Sequence, residues 1–453
     1  MIGIIMFFAS LVMLLYGFPV AFTFAAVSLL FGVIAGIVEI GFDDGLIEGL
    51  TEGISEGLSM FDFMPYRIMS IMENTVLMAI PMFIFMGIIL QKTGLAEKLL
   101  ESMGFLFGEI RGGVAISTVL VGTLLAASTG VVGASVVAMG VISLPVMMKY
   151  KYNTPLACGT ICASGTLGQI IPPSIVLIIL GDVFRVPVGD LFSAAVWPGL
   201  GLVAAYIIFI LIVSYFKKDM APAIPKDPSR GSKMKQVIKA LIDIIPSLTL
   251  ILFVLGSIFA GIATPTESSA IGCLGAVLLA VAYRSFSTDM VKEAAFESVK
   301  VTSMVFAILI GATAFSMVFT YTGGDEIVEH FMMNLPGDEK IAFILFTMLA
   351  IFILGFFIDF VEISYIIVPI LVPIAMNLDI NPVWFAILIA MNLQTSFLTP
   401  PFGFALFYLK GVVSSSIRTI DIYKGVLPFI LIQIIVLLLL VFFPDFFGIK
   451  ASL

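Results

Sequence analysis

Apolar residues in this chain do not alternate with polar ones; they run together in stretches of about 20, separated by short polar segments. Such stretches can cross a bilayer as α-helices, and the period-2 alternation of a membrane β-barrel is absent. The pattern predicts helices over 2–16 and 18–38, joined at Gly17-Phe18-Pro19. An acidic loop or surface helix over 39–74 follows, with Glu39, Asp43, Asp44, Glu48, Glu52, Glu56 and Asp62. A helix over 75–91 ends near Thr93-Gly94, and an amphipathic stretch runs to 112. Residues 114–147 are apolar around a small polar break, Ala127-Ser128-Thr129-Gly130. A helix over 154–182 is broken at Pro172-Pro173, and another spans 191–216. Residues 217–239 form a basic, Pro-bearing linker holding Lys217, Lys218, Lys226, Arg230, Lys233, Lys235 and Lys239. Beyond it the pattern predicts helices over 240–262 and 266–283, an amphipathic segment over 285–300, a helix over 301–321 and an acidic loop. The last elements are an apolar stretch, 341–375, broken at Asp359, a helix over 381–410 broken at Pro400-Pro401, and a helix over 425–447.

The breaks recur at a fixed interval. Pro145 precedes Pro172-Pro173 by 27 positions, and Pro373 precedes Pro400-Pro401 by 27, so an offset of 228 relates the two. Thr93-Gly94 and Thr322-Gly323 follow suit at 229. Paired interruptions in corresponding halves of a membrane chain point to a transporter built from a repeat, with its binding site at the breaks. The stretches 114–147 and 341–375 are too short for two full spans, which need about 40 residues and a turn. Each is therefore expected to be a re-entrant hairpin; a pair of short tilted spans is the alternative. With hairpins returning to their own side, 18 of the 22 Lys and Arg residues fall on one face, which the positive-inside rule makes cytoplasmic. One hairpin then enters from the cytoplasm and the other from outside. The expected organisation is a first inverted repeat over 1–216, a cytoplasmic linker over 217–239 and a second inverted repeat over 240–453, with the N-terminus outside.

Composition agrees with lipid as the solvent. Hydrophobic residues make up 60% and charged ones 11%, at a mean hydropathy of +1.19, against about 25% charged in soluble domains. The net charge of −8 comes from the acidic loops, and nothing in it points to nucleic acid. Cys158, Cys162 and Cys273 lie in apolar helices without metal-like spacing and read as packing residues. The first 20 residues lack a positive leader and a clear cleavage site, so they read as a retained helix. No GxxxxGK[ST] pattern supports an ATP-driven pump. A membrane-embedded enzyme would need convergent catalytic groups, and one histidine with one clear hairpin aspartate does not supply them.

Candidate chemistry sits at the breaks. A broken helix frees carbonyls that have lost their partners, which is costly in lipid unless something binds them. A dehydrated Na+ suits those oxygens, and opposed helix N-termini suit an anionic substrate. In the first half the candidates are Ser128, Thr129, Gly130 and Ser135 in the hairpin, with Gly165, Gln169, Pro172, Pro173 and Ser174 in the broken helix. Close helix packing is the competing explanation for the small residues. In the second half Asp359 stands out, because a carboxylate in a membrane segment costs about 2.5–3.5 kcal/mol on insertion scales. Ser364, Thr395, Ser396, Thr399, Pro400 and Pro401 complete that set, and Glu362 faces either a cavity or a partner. The assignment puts cations at Ser128, Gly130, Ser135, Gly165, Asp359, Ser364, Thr395 and Thr399. It puts substrate at Ser128, Thr129, Gln169, Pro172–Ser174 and Pro400-Pro401. Glu267 reads as a helix-capping carboxylate, Asp182 and Arg185 as a structural or docking pair, and His330 as a solvated loop residue.

At these residues the chain resembles the large membrane subunit of TRAP (tripartite ATP-independent periplasmic) transporters, the DctM type. The segments that carry the likeness are AIPMFIFMGIILQKTGLAEKLL (79–100), LLAASTGVVGASVVAMGVISLP (124–145), ASGTLGQIIPPSIVLIILGD (163–182), GIATPTESSAIG (261–272) and LTPPFGFALF (398–407). The insert at 39–74 departs from the shorter dicarboxylate and sialic-acid members and looks like the mannitol/chloroaromatic branch. The resemblance implies an all-α membrane protein with an inverted-repeat ion-transporter (elevator) fold, two re-entrant hairpins and two broken helices. It implies uptake of an organic acid coupled to two or more Na+ ions across the bacterial inner membrane. The implied partners are a periplasmic substrate-binding protein and a small four-helix membrane subunit. A self-sufficient ion-coupled carboxylate symporter is the alternative, and a passive channel fits the paired breaks less well.

Overall fold

The computed structural model describes residues 1–41, 45–224, 233–414 and 417–450. Asp43, Asp44, Lys226 and Arg230 lie outside them. Every regular element among the described residues is helical. In chain order these are α1 (Ile2–Leu15), α2 (Val20–Ile40), α3 (Leu46–Ser59), α4 (Met64–Met72), α5 (Ala79–Lys92), α6 (Leu95–Phe107), α7 (Gly113–Thr129) and α8 (Val132–Lys149). Then follow α9 (Thr154–Thr166), α10 (Ile175–Phe184), α11 (Val188–Phe216), α12 (Lys233–Phe259), α13 (Pro265–Ala282), α14 (Thr288–Tyr321) and α15 (Gly324–Met333). The last are α16 (Glu339–Leu354), α17 (Phe360–Glu362), α18 (Val368–Asn377), α19 (Pro382–Leu398), α20 (Phe404–Val412) and α21 (Thr419–Phe442). Eight helices among the described residues are long and apolar enough to cross a membrane.

Both hairpins and both broken helices form where the pattern placed them. The arms α7 and α8 have 17 and 18 residues, or about 26 Å at 1.5 Å per residue; α7 falls among the shorter apolar helices, whereas α8 is one of the eight candidate spans. Several boundaries differ from expectation: the acidic loop after 321 contains the helix α15, and the last helix spans Thr419–Phe442 instead of 425–447. The segments 285–300 and 301–321 form one helix of 34 residues, α14, because the amphipathic stretch continues the span without a breaker. The end of the basic linker is helical as well: α12 starts at Lys233, since Met234, Val237, Ile238 and Leu241 extend the helical spacing of the span that follows.

The chain forms two compact units. One comprises Met1–Leu77 and Lys300–Pro382; the other comprises Met78–Val299 and the described chain from Val383 onward. Each takes segments from both sequence halves, so the units cut across the division 1–216 and 240–453.

In the first unit the acidic insert is a pair of helices. Gly49, Gly53 and Gly57 recur every four residues on α3, and they are the buried residues of that helix. Gly53 and Gly57 lie against Gly36 and Gly32 of α2, so closely that a Cβ at Gly36 would sit 2.3 Å from Gly53 O and one at Gly57 2.5 Å from Gly32 O. Small residues at this spacing let two helix backbones touch. Glu39 near the end of α2 accepts a hydrogen bond from the Tyr321 hydroxyl of α14 at 2.7 Å.

In the second unit α5 packs on α13, and α9 packs on α21, where Gly159 and Gly425 meet backbone to backbone. A buried Gln433 Nε2 donates to Tyr206 Oη at 2.7 Å, joining α21 to α11. Lys92, at the end of α5, pairs with Glu293 and Glu297 of α14, each at 3.1 Å.

Candidate functional site

The first hairpin tip is set by one residue. Gly130 ends α7 with φ 61°, the left-handed conformation that favours glycine, and its N–H donates to Ala126 O at 2.9 Å. A Cβ at Gly130 would also meet the Ile175 side chain at 3.1 Å, at the start of α10. Across the tip the hydroxyls of Thr129 and Ser135 are 2.8 Å apart. Ser128 Oγ donates to Leu125 O at 2.8 Å, turning its hydroxyl back onto the helix.

Glycines bring the neighbouring backbones against this tip. A Cβ at Gly87 of α5 would lie 2.5 Å from Ser128 O, and one at Gly168 would lie 2.6 Å from Ala126 O. Gly165 of α9 sits against Val136 of α8, with 2.4 Å for a Cβ. These contacts make the first tip and the first helix break one assembly within the second unit.

The break itself follows from the sequence. Asn153 caps α9, accepting from Leu156 N at 3.2 Å, and α9 gives way to a 3-10 turn over Leu167–Gln169. Pro172 and Pro173 have no N–H to continue the helix; the bond between them is cis, as is that between Pro400 and Pro401. Ser174 restarts the chain as the N-cap of α10. Its Oγ accepts from Leu177 N at 3.4 Å and donates to Gln169 O at 2.6 Å. Gln169 is 0% exposed, yet neither Oε1 nor Nε2 of its amide has a hydrogen-bond partner. A buried amide in this state marks a place for a ligand or water.

The second broken helix also belongs to this unit. Thr395 Oγ1 donates to Met391 O at 2.9 Å, Ser396 Oγ to Leu393 O at 2.8 Å and Thr399 Oγ1 to Thr395 O at 2.7 Å. α20 runs on against the first hairpin: the Tyr408 ring lies 3.0 Å from where a Gly133 Cβ would be. The Cys162 thiol donates to Ala405 O at 3.7 Å. Asn392 and Gln394, fully inside α19, are buried polar residues that the sequence reading passed over; the run Asn392-Leu393-Gln394-Thr395-Ser396 in an apolar span was the available signal.

The second hairpin, in the first unit, turns at 355–359. Asp338 caps α16, accepting from Ile341 N at 3.1 Å, and Asp359 Oδ1 accepts from Phe360 N at 2.7 Å. After α17 the helix widens into a π-turn over Ile363–Ile367. Asp359 is half-buried, whereas Glu362 is 4% exposed with Oε2 unpartnered. Ser364 is fully buried, with its hydroxyl unpartnered. It lies two positions beyond Glu362 and therefore on the opposite side of the helix.

The remaining candidates have structural places. Thr264 and Glu267 form a capping box at the start of α13, with Glu267 Oε2 accepting from Thr264 N at 2.8 Å. Arg185 ends α10 in the left-handed conformation, with its N–H on Asp182 O at 3.2 Å. His330 is exposed on α15, in a helix rather than a loop, with Asn334 Nδ2 donating to its carbonyl at 2.6 Å. All three cysteines are buried and free. Among the described residues no group of three or more His, Cys, Asp or Glu could hold a metal ion. The tips and breaks offer hydroxyl, carbonyl, amide and carboxylate oxygens, the donor set of a hard cation.

A family model described as "Tripartite ATP-independent periplasmic transporter, DctM component" matches residues 5–446. The C4-dicarboxylate TRAP transporter large permease protein DctM of Pseudomonas aeruginosa is 31% identical over 373 residues, which are 82% of this chain and 85% of that one. The sialic acid TRAP transporter large permease protein SiaM of Vibrio cholerae is 30% identical over 377 residues, 83% and 86% of the two chains. Among solved structures, that of the Alcanivorax borkumensis YdaH transporter aligns with a TM-score of 0.54 over 97% of this chain and 98% of that one. At 12% identity it is a likeness of fold alone.

Proposed function

The chain belongs to the DctM family of tripartite ATP-independent periplasmic transporters, and on that premise we propose that it is the large membrane subunit of a Na+-coupled importer of an organic acid. In this reading it lies in the bacterial inner membrane with its N-terminus in the periplasm. A periplasmic binding protein delivers the substrate, and a small four-helix membrane subunit completes the complex. The two halves act as inverted repeats in an elevator mechanism. The similar proteins named above carry C4-dicarboxylate and sialic acid in their names, both anions at neutral pH.

The observation that carries the reading is the Gln169 amide, fully buried and unpartnered at the first helix break. Its Nε2 can donate to a substrate carboxylate, and α10, which starts one residue beyond Ser174, presents N–H groups and the positive end of its dipole to the same anion. Thr129 supplies a hydroxyl beside them. Na+ travels with the substrate as cargo. One ion takes oxygens of the first tip and the α9 end (Ser128, Gly130, Ser135, Gly165). Another takes the carboxylate of the second tip, Asp359. Thr395 and Thr399 offer carbonyls and hydroxyls at the second break.

Uptake of labelled organic acids into proteoliposomes tests this. The complex should accumulate substrate only with an inward Na+ gradient, the small subunit and the binding protein. Na+-driven uptake by the chain alone would replace the tripartite reading with a self-sufficient symporter. Downhill flux indifferent to Na+ would refute both.

A further inference from the structure

The second tip holds two carboxylates and no countercharge. Asp359 and Glu362 are three residues apart, so they share one face of the helix beginning at Phe360. Among the described residues, neither forms an ion pair with Lys, Arg or His. The spacing D-x-x-E is that of a capping box, in which the second carboxylate reaches back to the N-cap N–H. Asp359 Oδ1 instead accepts from Phe360 N, and Glu362 Oε2 is left buried without a partner. A π-turn follows at once, over Ile363–Ile367, a distortion frequent at functional sites. The first tip, by contrast, carries hydroxyls and carbonyls and no carboxylate between Ser128 and Ser135.

From this geometry we infer that Glu362 is a direct ligand of the cation at the second tip, which therefore lies between two carboxylates. The inference rests on the Na+-coupled reading above. Like charges this close in sequence repel each other, and Glu362 has lost its water. A cation between them offsets both. The two tips then differ in kind: the first binds its ion through neutral oxygens, the second by neutralising charge.

The test is thermal unfolding of the purified complex with its small subunit, with Na+ replacing choline at constant ionic strength. Na+ should stabilise the parent. Glu362→Gln should raise the Na+ midpoint at least tenfold, while its stability in choline alone equals or exceeds the parent's, because the repulsion is gone. Asp359→Asn is the companion variant. If it weakens the Na+ response while Glu362→Gln leaves the response unchanged, Glu362 is only a helix cap; the inference is then overturned and Na+ coupling stands. A parent that ignores Na+ overturns both. Should Glu362→Gln not accumulate as folded protein, Glu362→Asp carries the test, since it withdraws the charge by one carbon. A threefold or greater rise in midpoint supports the role, and an unchanged midpoint refutes it.

Discussion

Replacing Gln169 by leucine should make the substrate-free protein more stable and the transporter worse. The amide is 0% exposed, and neither of its polar atoms has a partner. A buried donor or acceptor left unsatisfied costs about 1–3 kcal/mol. Leucine has nearly the same volume and no polar atoms, so Gln169→Leu should recover on the order of 2 kcal/mol in the ligand-free state. The same change removes a hydrogen bond to an ionised carboxylate, worth about 1.5–3 kcal/mol, which corresponds to a rise of about 10–100-fold in the KM for uptake. Equilibrium unfolding in detergent without substrate, paired with initial uptake rates in proteoliposomes, reads the two effects separately. Most core substitutions lower stability, so the expected sign is itself diagnostic. A destabilisation of about 1 kcal/mol or more would mean that the amide serves the fold. An unchanged KM would mean that no substrate group reaches it.

Three further outcomes follow from backbone geometry and surface charge. Gly130→Ala should cost about 1–2 kcal/mol from the left-handed φ alone, with a matching drop in melting temperature and slower uptake, because the tip sits on Ile175. Gly57→Leu should separate α3 from α2, since its first side-chain carbon already falls 2.5 Å from Gly32 O; cysteines paired across α2 and α3 should cross-link in the parent and fail to do so in the variant. Lys92→Ala removes contacts to Glu293 and Glu297, but these are exposed, with Glu293 66% and Glu297 51% accessible. The loss in an unfolding measurement should be below about 1 kcal/mol and vanish in high salt.

The sequence announces breaks better than it announces contacts. Pro172-Pro173, Pro400-Pro401 and the Ser128–Gly130 run are local signals, because proline removes an N–H and glycine allows the left-handed turn wherever the chain lies. The elements they delimit form as the pattern predicts. Contacts between distant residues leave no such trace. Residues 46–59 are rich in glycine and glutamate, and glycine is a poor helix former; the segment is nonetheless a helix, with Gly53 and Gly57 packed on Gly36 and Gly32 of α2. The join within α14 was missed for a different reason: an amphipathic surface pattern and an apolar span look like two elements, although their helical phases agree. At the second tip sequence favours Asp359, the first charge met in an apolar run. The structure buries Glu362 more deeply, which only the turn's geometry decides.

The α2–α3 contact also separates attachment from surface identity. Glycines make the join, so α3 meets α2 main chain to main chain. Glu48, Leu50, Glu52 and Ile54 all project away from it. Their chemistry can be rewritten, from acidic to basic or from apolar to polar, without loosening the anchor. Such a segment is modular: a fixed mount bearing an interchangeable face.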